Sequence, residues 1–262
     1  MADAAALTHS PRVTGLFMDF DGTLAEIVSE PSKAGPLEGI PETLEELGRS
    51  FGVVALVSGR TAAELVGWFG NEVELWGLYG AERSVAGEIT LAEDVAPYAS
   101  LMRRVAAEAK ERLQATGIDG LLVEDKGVMV GLHWRRADDV GAAGRIVTGV
   151  AGDLAERHGI EQSPGKLALE LRPPVEWSKG DVVRRRAGEE GLRAAAFVGD
   201  DYGDLTAFDA LDELAQSGVA TVRVGVASSE MPEELKRRAE IELAGPPAVL
   251  EWLRSLLAAI PR

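Results

Sequence analysis

Short β-rich runs near Val13 to Met18, Gly52 to Val57, Glu74 to Tyr79, Ala194 to Val198 and Ala220 to Val226 alternate with helical patterns. That alternation predicts a doubly wound parallel sheet of Rossmann-like type, because parallel strands need crossovers and a helix is the usual one. In such a sheet function collects at the carboxyl ends of the strands. Polar motifs stand at those ends: Asp19-Phe20-Asp21-Gly22-Thr23, Ser58-Gly59-Arg60 and Gly199-Asp200-Asp201-Tyr202-Gly203-Asp204.

The middle of the chain follows another pattern. From about Leu91 to Leu171 a helix with Leu101, Val105, Ala109 and Leu113 on one face precedes a hairpin, Leu121 to Trp134, turning at Lys126-Gly127. A second helix with Val140, Val147, Val150 and Leu154 precedes another hairpin, Ile160 to Leu171, turning at Pro164-Gly165. This α-β-β duplication cannot extend a parallel sheet. It predicts a smaller α+β domain, residues 92–171, inserted into an α/β core made of 1–91 and 172–262, with hinges near Thr90 and Pro173-Pro174.

Asp19 and Asp21 sit two residues apart at the end of an apolar run, so they leave the same side of the backbone while Phe20 points into packing. Gly22 then lets the chain turn. Two carboxylates so placed repel, unless a cation sits between them or one holds a proton. The blander reading is a calcium loop or a plain turn. Asp200, Asp201 and Asp204 read either as metal ligands or as an N-cap cluster for the helix through Ala207-Phe208. Thr61-Ala62-Ala63-Glu64 is a capping box, so the Ser58 loop runs into a helix N-terminus whose free N–H groups suit an anion. Ser178 reads as the N-cap of a helix in which Lys179 opposes the helix dipole, and such a charge calls for an anion opposite it. Arg60 has two readings, a phosphate ligand or a structural bridge to an acidic neighbour.

Asp19-Phe20-Asp21-Gly22-Thr23-Leu24 resembles the first motif of the haloacid dehalogenase-like phosphatases, and Ser58-Gly59-Arg60, Lys179-Gly180 and the Asp200 motif follow in that superfamily's order. Gly77-Leu78-Tyr79-Gly80-Ala81-Glu82, Val123-Glu124-Asp125-Lys126-Gly127, His133-Trp134-Arg135, Gly165-Lys166 and Glu170-Leu171-Arg172-Pro173-Pro174 resemble landmarks of the trehalose-6-phosphate phosphatases. The resemblance implies a cap-bearing sugar phosphatase acting on trehalose 6-phosphate, the last step of trehalose biosynthesis. In it Asp19 is the nucleophile that forms an aspartyl-phosphate and Asp21 the acid/base, while Ser58, Gly59, Arg60 and Lys179 bind phosphate. No Cys or His lies near the core motifs, and a hard divalent cation suits them. Mg2+ is therefore expected on Asp19, the backbone carbonyl of Asp21, Asp200 and, directly or one shell out, Asp204. Glu124, Lys126, His133, Arg135, Lys166 and Glu170 are the expected sugar-reading set. Tyr202-Gly203-Asp204-Leu205-Thr206 departs from the family's usual run of outer carboxylates. Another sugar-phosphate phosphatase of the same cap type, acting on sucrose phosphate or mannosyl-3-phosphoglycerate, is the alternative within that class. A phosphotransferase uses a similar Asp pair, and a phosphosugar sensor would need no nucleophile.

Twenty-seven basic against 43 acidic residues give a net charge of −16, which disfavours nucleic acid and anionic membranes as partners. An anionic substrate must then be drawn by a local cluster of metal, Lys and Arg. The absence of cysteine fits a reducing compartment. Met1 to Arg12 hold neither a basic leader nor a long apolar core. The expectation is a cytoplasmic monomer whose partner is a small sugar phosphate.

Overall fold

Thr14–Met18 forms the first strand and every residue of it is buried, as a central strand covered on both faces requires. The computed structural model describes residues 2–28, 33–85, 87–165, 167–228 and 231–260. The chain divides into two units, Met1–Thr90 with Trp177–Arg262, and Leu91–Glu176. In chain order the elements are α1 (Ala2–Thr8), β1 (Thr14–Met18), α2 (Ile40–Ser50), β2 (Val53–Val57), α3 (Ala62–Val66), β3 (Glu74–Gly77), β4 (Glu82–Val85) and β5 (Glu88–Leu91). The second unit then contributes α4 (Ala99–Gln114), β6 (Leu122–Asp125), β7 (Val130–His133), α5 (Val140–His158), β8 (Glu161–Gly165) and β9 (Ala168–Arg172). The chain returns through α6 (Lys179–Glu189), β10 (Ala194–Gly199), α7 (Leu205–Gln216), β11 (Ala220–Val226), α8 (Glu233–Arg238), β12 (Ile241–Leu243) and α9 (Pro246–Ala259).

The first unit is built on an eight-stranded sheet in the order β12-β11-β10-β1-β2-β3-β4-β5. Pairing from β12 to β3 is parallel, and β4 turns back antiparallel on β3. Alternate residues of the strands feed two cores. Leu16, Met18, Val54, Leu56 and Val198 pack with Leu44, Leu65 and Leu253 on one face. Phe17, Val53, Ala55, Val57 and Phe197 pack with Val183, Phe208 and Leu211 on the other. A slip of one residue would exchange the two sets, so the double burial fixes register. This is the doubly wound sheet that the apolar runs predict. The β4–β5 pair and β12 are additions to it, and they lie at its edges.

The second unit has its own antiparallel sheet, order β6-β7-β9-β8. Met102, Val105, Ala109 and Leu113 of α4 and Val147, Ala151 and Leu154 of α5 bury against Val130, Leu132, Leu169 and Leu171. Asp139 caps α5 by accepting from Ala142 N at 2.8 Å. The second hairpin differs from the expected turn at Pro164-Gly165. Gly165 still pairs with Ala168, so β8 runs on through Pro164 and Gly165 instead of turning there, and Leu167 is left-handed at φ 56°. β8 is an edge strand, and proline is tolerated there because one side of the strand needs no N–H.

Candidate active site

Asp19 extends the β1–β10 ladder by one bond, its N–H donating to Val198 O at 2.9 Å. The chain then winds tightly: Thr23, Leu24 and Ala25 all donate to Phe20 O. Gly22 has φ 80°, and a Cβ on it would strike the Asp200 carboxylate. Phe20 stacks on Trp68 with ring centroids 5.1 Å apart, which anchors the loop from below. The two acids point to different partners. Lys179 Nζ lies 2.7 Å from Asp19 Oδ1, whereas Asp21 accepts from Arg60 Nε and Nη2, each at 2.8 Å. Each of the two carboxylates thus faces a cationic side chain of its own.

Lys179, only 1% exposed, opens α6 and also donates to Asp204 Oδ1 at 2.7 Å. The other oxygen of Asp204 accepts from the N–H groups of Asp200 and Asp201 at 2.8 and 2.9 Å. Asp204 thus braces the loop after β10 while pairing with the lysine. Asp200 accepts from Thr23 Oγ1 at 3.3 Å. Asp19, Asp200 and Asp204 are all buried and bring carboxylate oxygens within 4.8 Å of one another. Burial pushes Asp200 up to about 7, with Asp204 and Asp201 adding to it against a hydrogen bond from Ser228. Asp204 rises to about 6, again mainly by burial against the pull of Lys179. Asp19 is raised as well, by burial and then by its acidic neighbours, Lys179 opposing. Burial alone would lower Lys179, but Asp19, Asp204 and Asp201 outweigh it and hold the amine charged. One cation stands among these buried acids, too few to balance them all in their ionised form, so burial and mutual repulsion raise their carboxyls beyond what Lys179 offsets.

Asp201 fulfils the plainer of its readings. It caps the short 3-10 turn Tyr202–Asp204 by accepting from Gly203 N at 2.8 Å. Ser178 stands at the N-cap position of α6 as expected, with an extended backbone, but its hydroxyl donates to Asp181 Oδ2 at 2.7 Å and makes no cap bond to the helix backbone.

Ser58 is buried at the end of β2, its N–H donating to Trp76 O and its Oγ accepting from Arg60 N at 3.2 Å. Gly59 leaves room for Tyr79, whose hydroxyl would stand 2.6 Å from a Cβ there. Arg60 takes the bridging reading: it holds Asp21 and Glu64 and lies over Phe20 and Trp68 at 5.3 and 5.7 Å. At the N-terminus of α3 the capping box forms as the sequence predicts, and part of the free N–H set has partners within the chain. Ala62 N donates to Glu82 Oε2 at 2.6 Å, and the Thr61–Glu64 box closes on itself.

In the second unit Glu124, Gly131, Glu170 and Ser163 lie in one cross-strand row on the sheet face away from α4 and α5. Lys126 Nζ lies 3.7 Å from Glu124 Oε2 and 3.4 Å from Glu170 Oε1, and His133 Nε2 lies 3.2 Å from Glu124 Oε2. Gly131 makes the cluster possible, because a Cβ there would meet His133 and Glu124. Arg135 falls beyond the end of β7 in an exposed turn. Lys166 lies outside the described residues.

A sequence profile of the trehalose-phosphatase family matches residues 17–240. The chain belongs to the trehalose-phosphatase family. Named relatives include a trehalose-phosphate phosphatase of Mycobacterium marinum, 34% identical over 209 residues, covering 75% of this chain and 51% of that protein. One of Mycobacterium leprae is 32% identical, covering 80% of this chain and 51% of its own length. The chain therefore spans about half the length of these relatives. In fold it is similar to the C-terminal domain of Candida albicans trehalose-6-phosphate phosphatase, with a TM-score of 0.75 at 24% identity over 98% of this chain and 96% of that one. A trehalose-6-phosphate phosphatase related protein gives a TM-score of 0.76 at 22% identity, covering 92% of this chain and 96% of the other. Among the described residues no helix is long and apolar enough to cross a membrane.

Some residues of this trehalose-phosphatase site carry no signal strong enough to single them out in sequence. Thr23 and Glu82 sit inside quoted motifs, yet nothing in the spacing says that one donates to Asp200 and the other closes α3. Trp177, whose buried indole donates to Leu78 O at 2.7 Å, is 99 positions from its partner. Only the fold brings those two together.

Proposed function

We propose that the chain hydrolyses trehalose 6-phosphate to trehalose and phosphate, with Asp19 as the nucleophile. The observation that carries the reading is the buried ion group Asp19–Lys179–Asp204 at the carboxyl ends of β1 and β10, in a chain of the trehalose-phosphatase family. A carboxylate held by a lysine is oriented without being blocked: Asp19 Oδ2 remains for attack on phosphorus, giving an aspartyl-phosphate. Lys179 and the Ser58–Gly59 loop are placed to neutralise the phosphoryl oxygens. Asp21 is assigned the proton that the leaving sugar oxygen needs, and as a carboxylate it then activates water against the intermediate.

Mg2+ fits the residues present. The donors are oxygens alone, they are buried together, and their charge exceeds what Lys179 balances. Asp19 and Asp200 would hold the ion with the Asp21 carbonyl, and Asp204, already engaged by Lys179 and backbone N–H groups, would orient them. When bound, the ion supplies positive charge to the transferring phosphoryl group.

The sugar-reading role is assigned to the second unit, to Glu124, Lys126, His133 and Glu170, supported by their convergence on one sheet face. A disaccharide offers many hydroxyls and needs paired donors and acceptors. We assign the protein to the cytoplasm as a monomer, supported for the compartment by the cysteine-free sequence; light scattering tests the monomer. Phosphate release over a panel of sugar phosphates, without acceptor sugar, tests the activity. Preferred release from sucrose phosphate or mannosyl-3-phosphoglycerate would replace the substrate, and no release at all would replace the reading.

A further inference from the structure

Leu78 and Tyr79 both adopt left-handed backbone angles, φ 49° and 61°, and Gly80 follows at 111°. Consecutive non-glycine residues in that region persist only where their surroundings hold them. Here the holds are explicit. Leu78 N donates to Arg60 O and Tyr79 N to Ser58 O, both at 2.8 Å, so the turn is sewn to the loop after β2. The buried Trp177 indole donates to Leu78 O at 2.7 Å from the other side. Trp177 stands two residues before Lys179. The turn is thereby fastened to both segments that carry phosphate-binding candidates.

The clamped turn aims one side chain. The half-buried Tyr79 ring has Lys179 Nζ 5.9 Å from its centroid, within reach of a cation–π contact. Its hydroxyl end closes over Gly59. On its carboxylate side the amine meets Asp19 and Asp204, each at 2.7 Å. A ring on another side limits where that amine can point and keeps water from it. A relaxed turn at Leu78–Tyr79 would lift the ring from both neighbours.

We propose that Tyr79 is a positioning residue of the phosphoryl site, acting through Lys179 and Gly59, and that Trp177 is the clamp that keeps its turn left-handed. The proposal rests on the phosphatase reading above. Tyr79 is placed to set the direction of the lysine toward the transferring group, so its effect belongs to the transition state more than to sugar binding.

The test compares the parent with Tyr79→Phe, Tyr79→Leu and Trp177→Phe in Mg2+ buffer. It reads thermal midpoint, kcat and KM with trehalose 6-phosphate, and orthovanadate binding by calorimetry. Tyr79→Leu fills the space without a π face. It is expected to lower kcat about tenfold or more and weaken vanadate by a similar factor, with KM held within about twofold. Tyr79→Phe should recover most of both losses. Trp177→Phe removes the indole N–H together with part of the buried ring and should fall between, its thermal midpoint reporting any cost of the lost volume. Parental kcat and vanadate binding in folded Tyr79→Leu, or in Trp177→Phe, would overturn the positioning role or the clamp respectively. A rise in KM alone would overturn it too. If the parent binds vanadate yet releases phosphate from no sugar phosphate, the substrate reading fails, and the Tyr79→Leu binding constant still decides this one.

Discussion

Arg60 grips Asp21 with two parallel hydrogen bonds, Nε to Oδ2 and Nη2 to Oδ1, both 2.8 Å. The guanidinium is only 8% exposed and is fixed in turn by Glu64 and by the faces of Phe20 and Trp68. A planar fork makes this bidentate contact and a lysine cannot. Arg60→Lys should therefore misplace Asp21 and lower kcat by about tenfold, while inhibition by inorganic phosphate stays within about twofold of the parent. Phosphate inhibition that weakens as far as kcat falls would return Arg60 to the phosphate ligands.

Asp19→Asn keeps the shape of the side chain and removes the anion that attacks phosphorus. Lys179 retains Asp204 at 2.7 Å, so the buried amine is not left without a counter-charge. The expected protein is folded, by circular dichroism and thermal melting, and releases no phosphate. Substantial turnover by a folded, contaminant-free sample would sink the covalent mechanism. Asp21→Asn should differ, slowing or trapping the phosphorylated enzyme without loss of metal binding.

The central sheet is legible in sequence because its strands are buried on both faces and read as unbroken apolar runs, as Val53–Val57 does. β4 and β5 are not, since β4 is polar and only partly buried, β5 is mostly exposed, and neither shows a clear apolar alternation. Asp19, Lys179 and Asp200 are legible through their order along the chain. Their division of labour is not, because it depends on which side chain reaches which across the fold. Arg60 is the clearest case: the sequence offers a phosphate ligand and a bridge on equal terms, and the bridge to Asp21 becomes visible only in the fold. The Pro164 turn is misread for a simpler reason. Pro-Gly is a strong turn signal, but an edge strand accommodates it, and Pro164 and Gly165 still pair with Leu169 and Ala168.

Burial of Asp200, with Asp204 and Asp201 beside it, gives the chelated protein a pH-dependent stability. The Asp200 carboxyl is carried from the ordinary 3.8 to about 7 in the fold. A carboxyl raised in the fold contributes stability below its unfolded value and loses it as pH rises through the folded one. The melting temperature in chelator should thus fall between about pH 4 and 7 and level off above that, more steeply in the parent than in Asp200→Asn. Added Mg2+ should stabilise more at the upper end, because the ion requires deprotonated ligands. Chelation should also silence phosphate release and Mg2+ restore it, with Asp200→Ala needing far more of the ion. Equal pH slopes in parent and Asp200→Asn, or activity that survives exhaustive chelation, would place the site elsewhere.

Lys126 stands between Glu170, at 3.4 Å, and Glu124, at 3.7 Å, and Glu124 also reaches His133. Each carboxylate balances a cation within the second unit, and the proposed sugar-reading role would add a substrate hydroxyl to its partners. A site built to bond a hydroxyl penalises a missing partner strongly, because its own polar groups are left unpaired. Glu124→Ala or Glu170→Ala should cut kcat/KM for trehalose 6-phosphate by at least about tenfold, roughly 1.4 kcal/mol, and change hydrolysis of a small aryl phosphate much less. The aryl ester supplies no hydroxyls, so it reports only what the substitutions do to the unit that carries Asp19. Equal losses on both substrates would mean that the carboxylates support the fold of their own sheet. Equal parent activity on glucose 6-phosphate and trehalose 6-phosphate would remove disaccharide reading from the second unit altogether.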